Sequence, residues 1–114
     1  MALQHPLPDE IVALIARRFR VIGDSTRIRL LDHLRTGEAG VQELCEVAGS
    51  TQQNVSKHLA VLIDAGIVAR RREGSFTYYR VVDDGVYRLC EDVCGSIEHQ
   101  LDTLQAALRG GSSA

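Results

Sequence analysis

The stretch VQELCEVAGSTQQNVSKHLAVLIDAGIV, residues 41–68, decides the fold. Val41, Leu44, Val47 and Ala48 recur at helical spacing and Gly49 breaks the run, so a short helix is expected over about 41–48. Ser50 with Gln53 three residues on is a capping box and predicts the start of the next helix. Val55, Leu59, Leu62 and Ile63 form the buried stripe of that helix, and Gly66 ends it. Its opposite face reads Gln52, Gln53, Asn54, Ser56, Lys57 and His58. A merely solvated face usually alternates Glu and Lys. This one is rich in amides and hydroxyls, the groups that hydrogen-bond to base edges. A short helix, a glycine turn and a capped helix with such a face read as a helix-turn-helix, whose second helix enters the major groove of DNA.

Working outward, IVARRR and SFTYYRVV are strand-like runs separated by Glu73-Gly74, and they predict a hairpin with its tip at Gly74. Arg70, Arg71 and Arg72 on its first arm are placed to lie along phosphates or to enter the minor groove. Charged guarding of an edge strand is the competing explanation for them. Tyr78 and Tyr79 fit strand packing better than base stacking, since stacking platforms expose several aromatics. The last helix begins near Asp83-Asp84. Val86, Cys90, Val93, Ile97, Leu101, Leu104 and Leu108 then mark a seam on a helix of about 25 residues. Upstream, Pro8, Asp9 and Glu10 start a first helix with Ile11, Ile15, Phe19 and Ile22 at helical spacing, closed by Gly23. Asp24 caps a second helix striped by Ile28, Leu31 and Leu34. The expected fold is therefore mainly α with a β-hairpin wing: four helices, two strands, then a fifth helix. One winged helix-turn-helix domain is expected over 1–109, with a disordered tail at 110–114.

Taken as a total, the composition opposes a nucleic-acid role. Among 114 residues, 13 Lys and Arg face 15 Asp and Glu, for a net charge of −2. Sorting by position reverses that impression. Residues 1–50 carry six basic and seven acidic groups, residues 51–81 five and two, and residues 82–114 two and six. The positive excess coincides with the amide-rich helix and the arginine hairpin, where phosphate neutralisation needs it. No window of eighteen consecutive apolar residues is present, so no membrane span is expected. The N-terminus MALQHPLPDEIV has neither a basic leader segment nor a small-residue cleavage site, which points to a cytoplasmic chain. A CxxC pair, an HExxH pair, a phosphate-cradling glycine loop and a nucleophile beside a base are all missing, so no enzyme is expected.

These elements resemble the ArsR/SmtB family of bacterial winged-helix repressors. The resemblance runs from Val21 to about Leu89 and rests on GDSTRIRLLDHL, on residues 41–68 and on the wing RRREGSFTYYRV. It implies a homodimer built on the first and last helices, bound to double-stranded operator DNA and released by an inducer. The family's thiol site on the third helix falls here on Gly40 and Gln42, so that site is absent. Its zinc site on the last helix falls on Asp83, Gly85, Ser96 and His99, which keeps one ligand in place. Inducer sensing would then rest on the three cysteines. Cys90 and Cys94, four residues apart, share a helix face and could grip a soft ion such as Cd(II) or Zn(II), or arsenite, with Cys45 or His99 as a further ligand. The same thiols could instead be redox-active toward oxidants or reactive sulfur, or could simply pack. In the last case the chain is a winged-helix repressor with no small inducer.

Overall fold

Five helices and a small antiparallel sheet follow one another along the chain. They are α1 (Asp9–Ile22), α2 (Ser25–Leu34), β1 (Ala39–Gly40), α3 (Val41–Ala48), α4 (Gln52–Asp64), β2 (Val68–Glu73), β3 (Phe76–Val81) and α5 (Gly85–Ser112). This computed structural model describes residues 3–112. The architecture is the expected winged helix-turn-helix, with one added strand.

Helix boundaries follow local chemistry. The Pro8 carbonyl accepts from Ile11 and Val12 N–H, both at 3.0 Å, and Asp9 and Glu10 lie in the first turn of α1 against the positive end of its dipole. The Asp24 carboxylate caps α2 by accepting from Arg27 N–H at 3.0 Å. α2 buries Leu30, Leu31 and Leu34, whereas Ile28, expected in that stripe, is 44% exposed. The discrepancy has a geometric cause: Ile28 lies about 200° around the helix from Leu30, which is completely buried.

The turn between α3 and α4 explains a second shift. Gly49 adopts the left-handed conformation at φ 61°, and Ser50 N–H bonds back to the Cys45 carbonyl at 3.2 Å. Ser50 is thus still closing α3. The chain becomes extended at Thr51, whose hydroxyl accepts from Asn54 N–H at 3.1 Å, so Thr51 rather than Ser50 caps α4. The Ser50 hydroxyl instead accepts from the Asn54 side-chain amide at 2.8 Å. Gly66, at φ 75°, ends α4 and turns the chain into β2.

The sheet order is β1-β3-β2. β2 and β3 form the expected hairpin, with Arg70 opposite Tyr79, Arg71 opposite Tyr78 and Arg72 opposite Thr77. β1 pairs with the other edge of β3, Ala39 against Tyr79. Two residues carry no readable strand pattern, so β1 escapes a sequence reading. Leu30, Leu31, Leu44, Val55, Leu59, Leu62 and Ile67 are the largest fully buried side chains and bring α2, α3, α4 and the start of the wing around one core.

The chain divides into two compact units at Asp83 and Asp84. The second consists of α5, which exposes Val93, Ile97, Leu101, Leu104 and Leu108. α5 continues through Ser112, so Gly110, Gly111 and Ser112 of the expected disordered tail are helical. Residues 113 and 114 lie outside the described residues.

The cap and the core can be tested by chemical denaturation at fixed chain concentration. Leu59→Ala is expected to cost about 2–5 kcal/mol as a buried truncation, and Thr51→Ala about 1 kcal/mol as a lost cap. Ser50→Ala should stay within about 0.5 kcal/mol, the range of ordinary surface changes. A larger loss for Ser50→Ala than for Thr51→Ala would contradict the cap assignment.

Candidate nucleic-acid interface

Burying Val55, Leu59 and Leu62 to 1% exposure or less fixes the rotation of α4 about its own axis. Gln52, Gln53, Asn54, Ser56 and Lys57 are consequently all exposed. Asn54 is partly committed, since its side-chain amide donates to Ser50. An open groove of about 560 Å³ separates the N-terminal end of α4 from the wing, lined among others by Gln42, Gln52, Ser75, Thr77 and Tyr78. Hydrogen-bonding side chains thus flank a channel beside the exposed helix face.

His58, the sixth predicted member of that face, is placed differently. Its side chain is only 17% exposed, and its ring Nδ1 lies 3.0 Å from Arg27 Nη1 and 3.8 Å from Asp24 Oδ1. Asp24, Arg27 and His58 therefore join the start of α2 to α4. The backbone N–H of Arg27 holds the Asp24 carboxyl below its ordinary value, and the Arg27 charge acts in the same direction. Arg27 was not legible as part of the site, because its partner is 31 residues away.

The wing separates its three arginines. Side chains alternate along a strand, so Arg70 and Arg72 share one face of β2 and Arg71 occupies the other. All three are exposed. Arg71 nonetheless commits three of its five N–H groups: Nε and Nη2 donate to the two Glu38 carboxylate oxygens at 2.7 and 2.6 Å, and Nη1 donates to Glu73 at 2.7 Å. Its guanidinium also lies 4.9 Å from the centre of the Tyr78 ring. The hydrogen bond from Arg71 holds the Glu38 carboxyl below its usual range, and both acids push the Arg71 guanidinium up. Lys57, Arg70 and Arg72 have no ion-pair partner among the described residues. Tyr79 is buried opposite Ala39 and Arg70, which agrees with strand packing.

Cys45 on α3 and Cys90 on α5 are half-buried, Cys94 is exposed, and none is in a disulfide. His99 is exposed on α5. Among the described residues no group of three His, Cys, Asp or Glu side chains is gathered closely enough to hold a metal ion. The Cys90–Cys94 pair, one helical turn apart, is therefore an incomplete donor set within a single chain. No described helix is long and apolar enough to cross a membrane.

Residues 24–70 match the model of a bacterial regulatory protein family, the arsR family. The chain is 39% identical over 94 residues to the HTH-type transcriptional regulator KmtR of Mycobacterium tuberculosis, covering 82% of this chain and 72% of that protein. It is 44% identical over 71 residues to a probable mercury resistance operon repressor of Streptomyces lividans, covering 62% of this chain and 57% of the relative. Among solved structures, the homodimeric winged helix-turn-helix DNA-binding domain Mb0332 of Mycobacterium bovis superposes with a TM-score of 0.72 at 27% identity, covering 88% of this chain and 95% of that one.

The Arg71 clamp carries a titration signature. Because the folded Glu38 carboxyl lies below its ordinary 4.5, the clamp stabilises the fold above that pH and loses its contribution as pH falls through the depressed value. Carboxyl NMR should place the Glu38 midpoint below 4.5, and Arg71→Ala should move it upward. An unchanged midpoint in that variant would remove the clamp.

Proposed function

The chain belongs to the arsR family of bacterial regulatory proteins, and from that premise we propose that it is a dimeric, cytoplasmic repressor that binds double-stranded operator DNA. One observation carries the reading. α4 is locked into the core by Val55, Leu59 and Leu62 while its amide and hydroxyl face stays uncovered beside a basic wing. In this assignment Gln52, Gln53, Asn54, Ser56 and Lys57 reach base edges and nearby phosphates, with Gln and Asn suited to adenine and Lys to guanine. Arg70 and Arg72 neutralise backbone phosphates. Arg71 holds the wing against Glu38 and contributes shape rather than a phosphate contact.

Residues 1–109 act as one DNA-binding domain in this proposal, paired with a second copy through the first and last helices. The apolar side chains that each of these helices exposes support the pairing, Val12, Leu14 and Phe19 on α1 and Val93, Ile97 and Leu101 on α5. The inducer is sensed through Cys90 and Cys94, with the missing donors supplied by the second copy. Thiolates select soft species, so Cd(II), Zn(II), arsenite or a reactive sulfur compound is the expected class. Whichever binds must prefer the DNA-free state, since only a difference in affinity shifts the equilibrium.

The test uses a duplex that the protein selects from a randomised pool, titrated by fluorescence anisotropy across a salt series. Lys57→Ala, Arg70→Ala and Arg72→Ala should each weaken binding, and the slope of log K on log salt should become shallower by about 0.9 per phosphate contact removed. Arg71→Ala should leave that slope unchanged. Equal slopes throughout would take α4 and the wing off the DNA. A Cys90→Ser, Cys94→Ser double variant should bind the duplex normally and lose release by cadmium, zinc, arsenite or persulfide. If the unaltered protein is released by none of these, the thiol sensor is overturned and a repressor without a small inducer stands.

A further inference from the structure

Arg27 sends one guanidinium in three directions. Nε donates to the Val21 carbonyl at 2.6 Å and Nη2 to the Arg20 carbonyl at 3.2 Å. Both carbonyls lie in the last turn of α1, where helical carbonyls lack intrahelical partners. Nη1 lies 3.0 Å from His58 Nδ1. A single side chain therefore joins the end of α1 to α4.

The chemistry of the third contact is determined by its donor. A guanidinium has only N–H donors and keeps its charge, so His58 Nδ1 must accept. His58 is then neutral, with its proton on Nε2. Asp24 offers no competing arrangement: its Oδ1 is 3.8 Å from Nδ1, beyond hydrogen-bond range, and already accepts from Arg27 N–H at 3.0 Å. His58 Nε2–H has no partner among the described residues. His58 also sits four residues after Asn54 and so shares its side of α4.

We propose that Arg27 is a positioning residue for DNA reading: it locks His58 in the Nε2–H form and presents that N–H as one directed donor to an acceptor on the duplex. The proposal rests on the DNA-reading assignment above. It gives His58 a contact that its partial burial alone would not suggest. It also places the donor under the control of α1, because movement of the Arg20 and Val21 carbonyls moves the guanidinium that sets the ring.

Long-range proton–nitrogen NMR of the full chain, labelled at histidine and recorded at pH 8, reads the form directly. His58 should show a protonated Nε2 and a bare Nδ1, and Arg27→Met should shift it to a mixture of both forms. A protonated Nδ1 in the unaltered protein, or the same single form in Arg27→Met, overturns the proposal. His58→Asn retains an acceptor for Arg27 but removes the outward donor. It should melt like the unaltered protein yet bind the selected duplex about 2- to 10-fold more weakly, the loss of one hydrogen bond. Full affinity in His58→Asn overturns the proposal even if Arg27→Met fails to fold. Failure of the unaltered protein to retrieve any duplex from the pool instead overturns the DNA reading, and it is seen separately from the ring's form.

Discussion

The apolar stripe of α4 is the constraint on which the rest depends. With Val55, Leu59 and Leu62 sealed into the core, the helix cannot rotate without exposing them, and each such exposure costs about 1.5–3 kcal/mol. Every outward side chain is consequently fixed in direction. Gln52, Gln53, Ser56 and Lys57 face solvent because they lie off the stripe that Val55, Leu59 and Leu62 bury. Pre-setting the face before any ligand arrives saves the ordering entropy that a flexible reader would have to supply on binding.

One polar clamp holds other elements to this fixed helix, and a second ties the wing to Glu38 ahead of β1. Arg27, whose backbone N–H donates to the Asp24 carboxylate, hydrogen-bonds both His58 and the end of α1, so α1, α2 and α4 meet through hydrogen bonds as well as through the core. On the wing, Glu38 and Glu73 occupy Arg71 with three short bonds. That guanidinium has three of its five N–H groups committed, whereas Arg70 and Arg72 carry their charge with no ion-pair partner among the described residues. The run of three arginines therefore divides between building the wing and offering charge.

Much of this was readable from residue order because it follows from local rules. Periodic stripes, the Asp24 cap, the Gly49 and Gly74 turns and the order of elements involve neighbours within a few residues. The family resemblance added the relation among those elements. What stayed hidden depends on contacts distant in sequence or on neighbouring backbone. Ser50 looks like a cap until its N–H is seen closing α3, which passes the role to Thr51. β1 has two residues and no pattern. Glu38 lies 33 residues from Arg71 and Arg27 lies 31 from His58, so neither contact, nor the partial burial of His58, shows in a helical wheel or strand ladder. The charge count follows the same logic: a net −2 conceals a basic middle whose position, rather than whose total, bears on DNA.

The proposed contact of the uncovered face of α4 and of the wing with the duplex is open to a direct measurement. Chemical-shift mapping of the nitrogen-labelled full chain against a duplex selected from a randomised pool tests it most directly. Perturbations are expected to concentrate at Gln52–Lys57 and at Arg70, Arg72 and Ser75, with the exposed apolar positions of α5 undisturbed. Perturbations confined to α5, or none along α4 at saturating duplex, would contradict it.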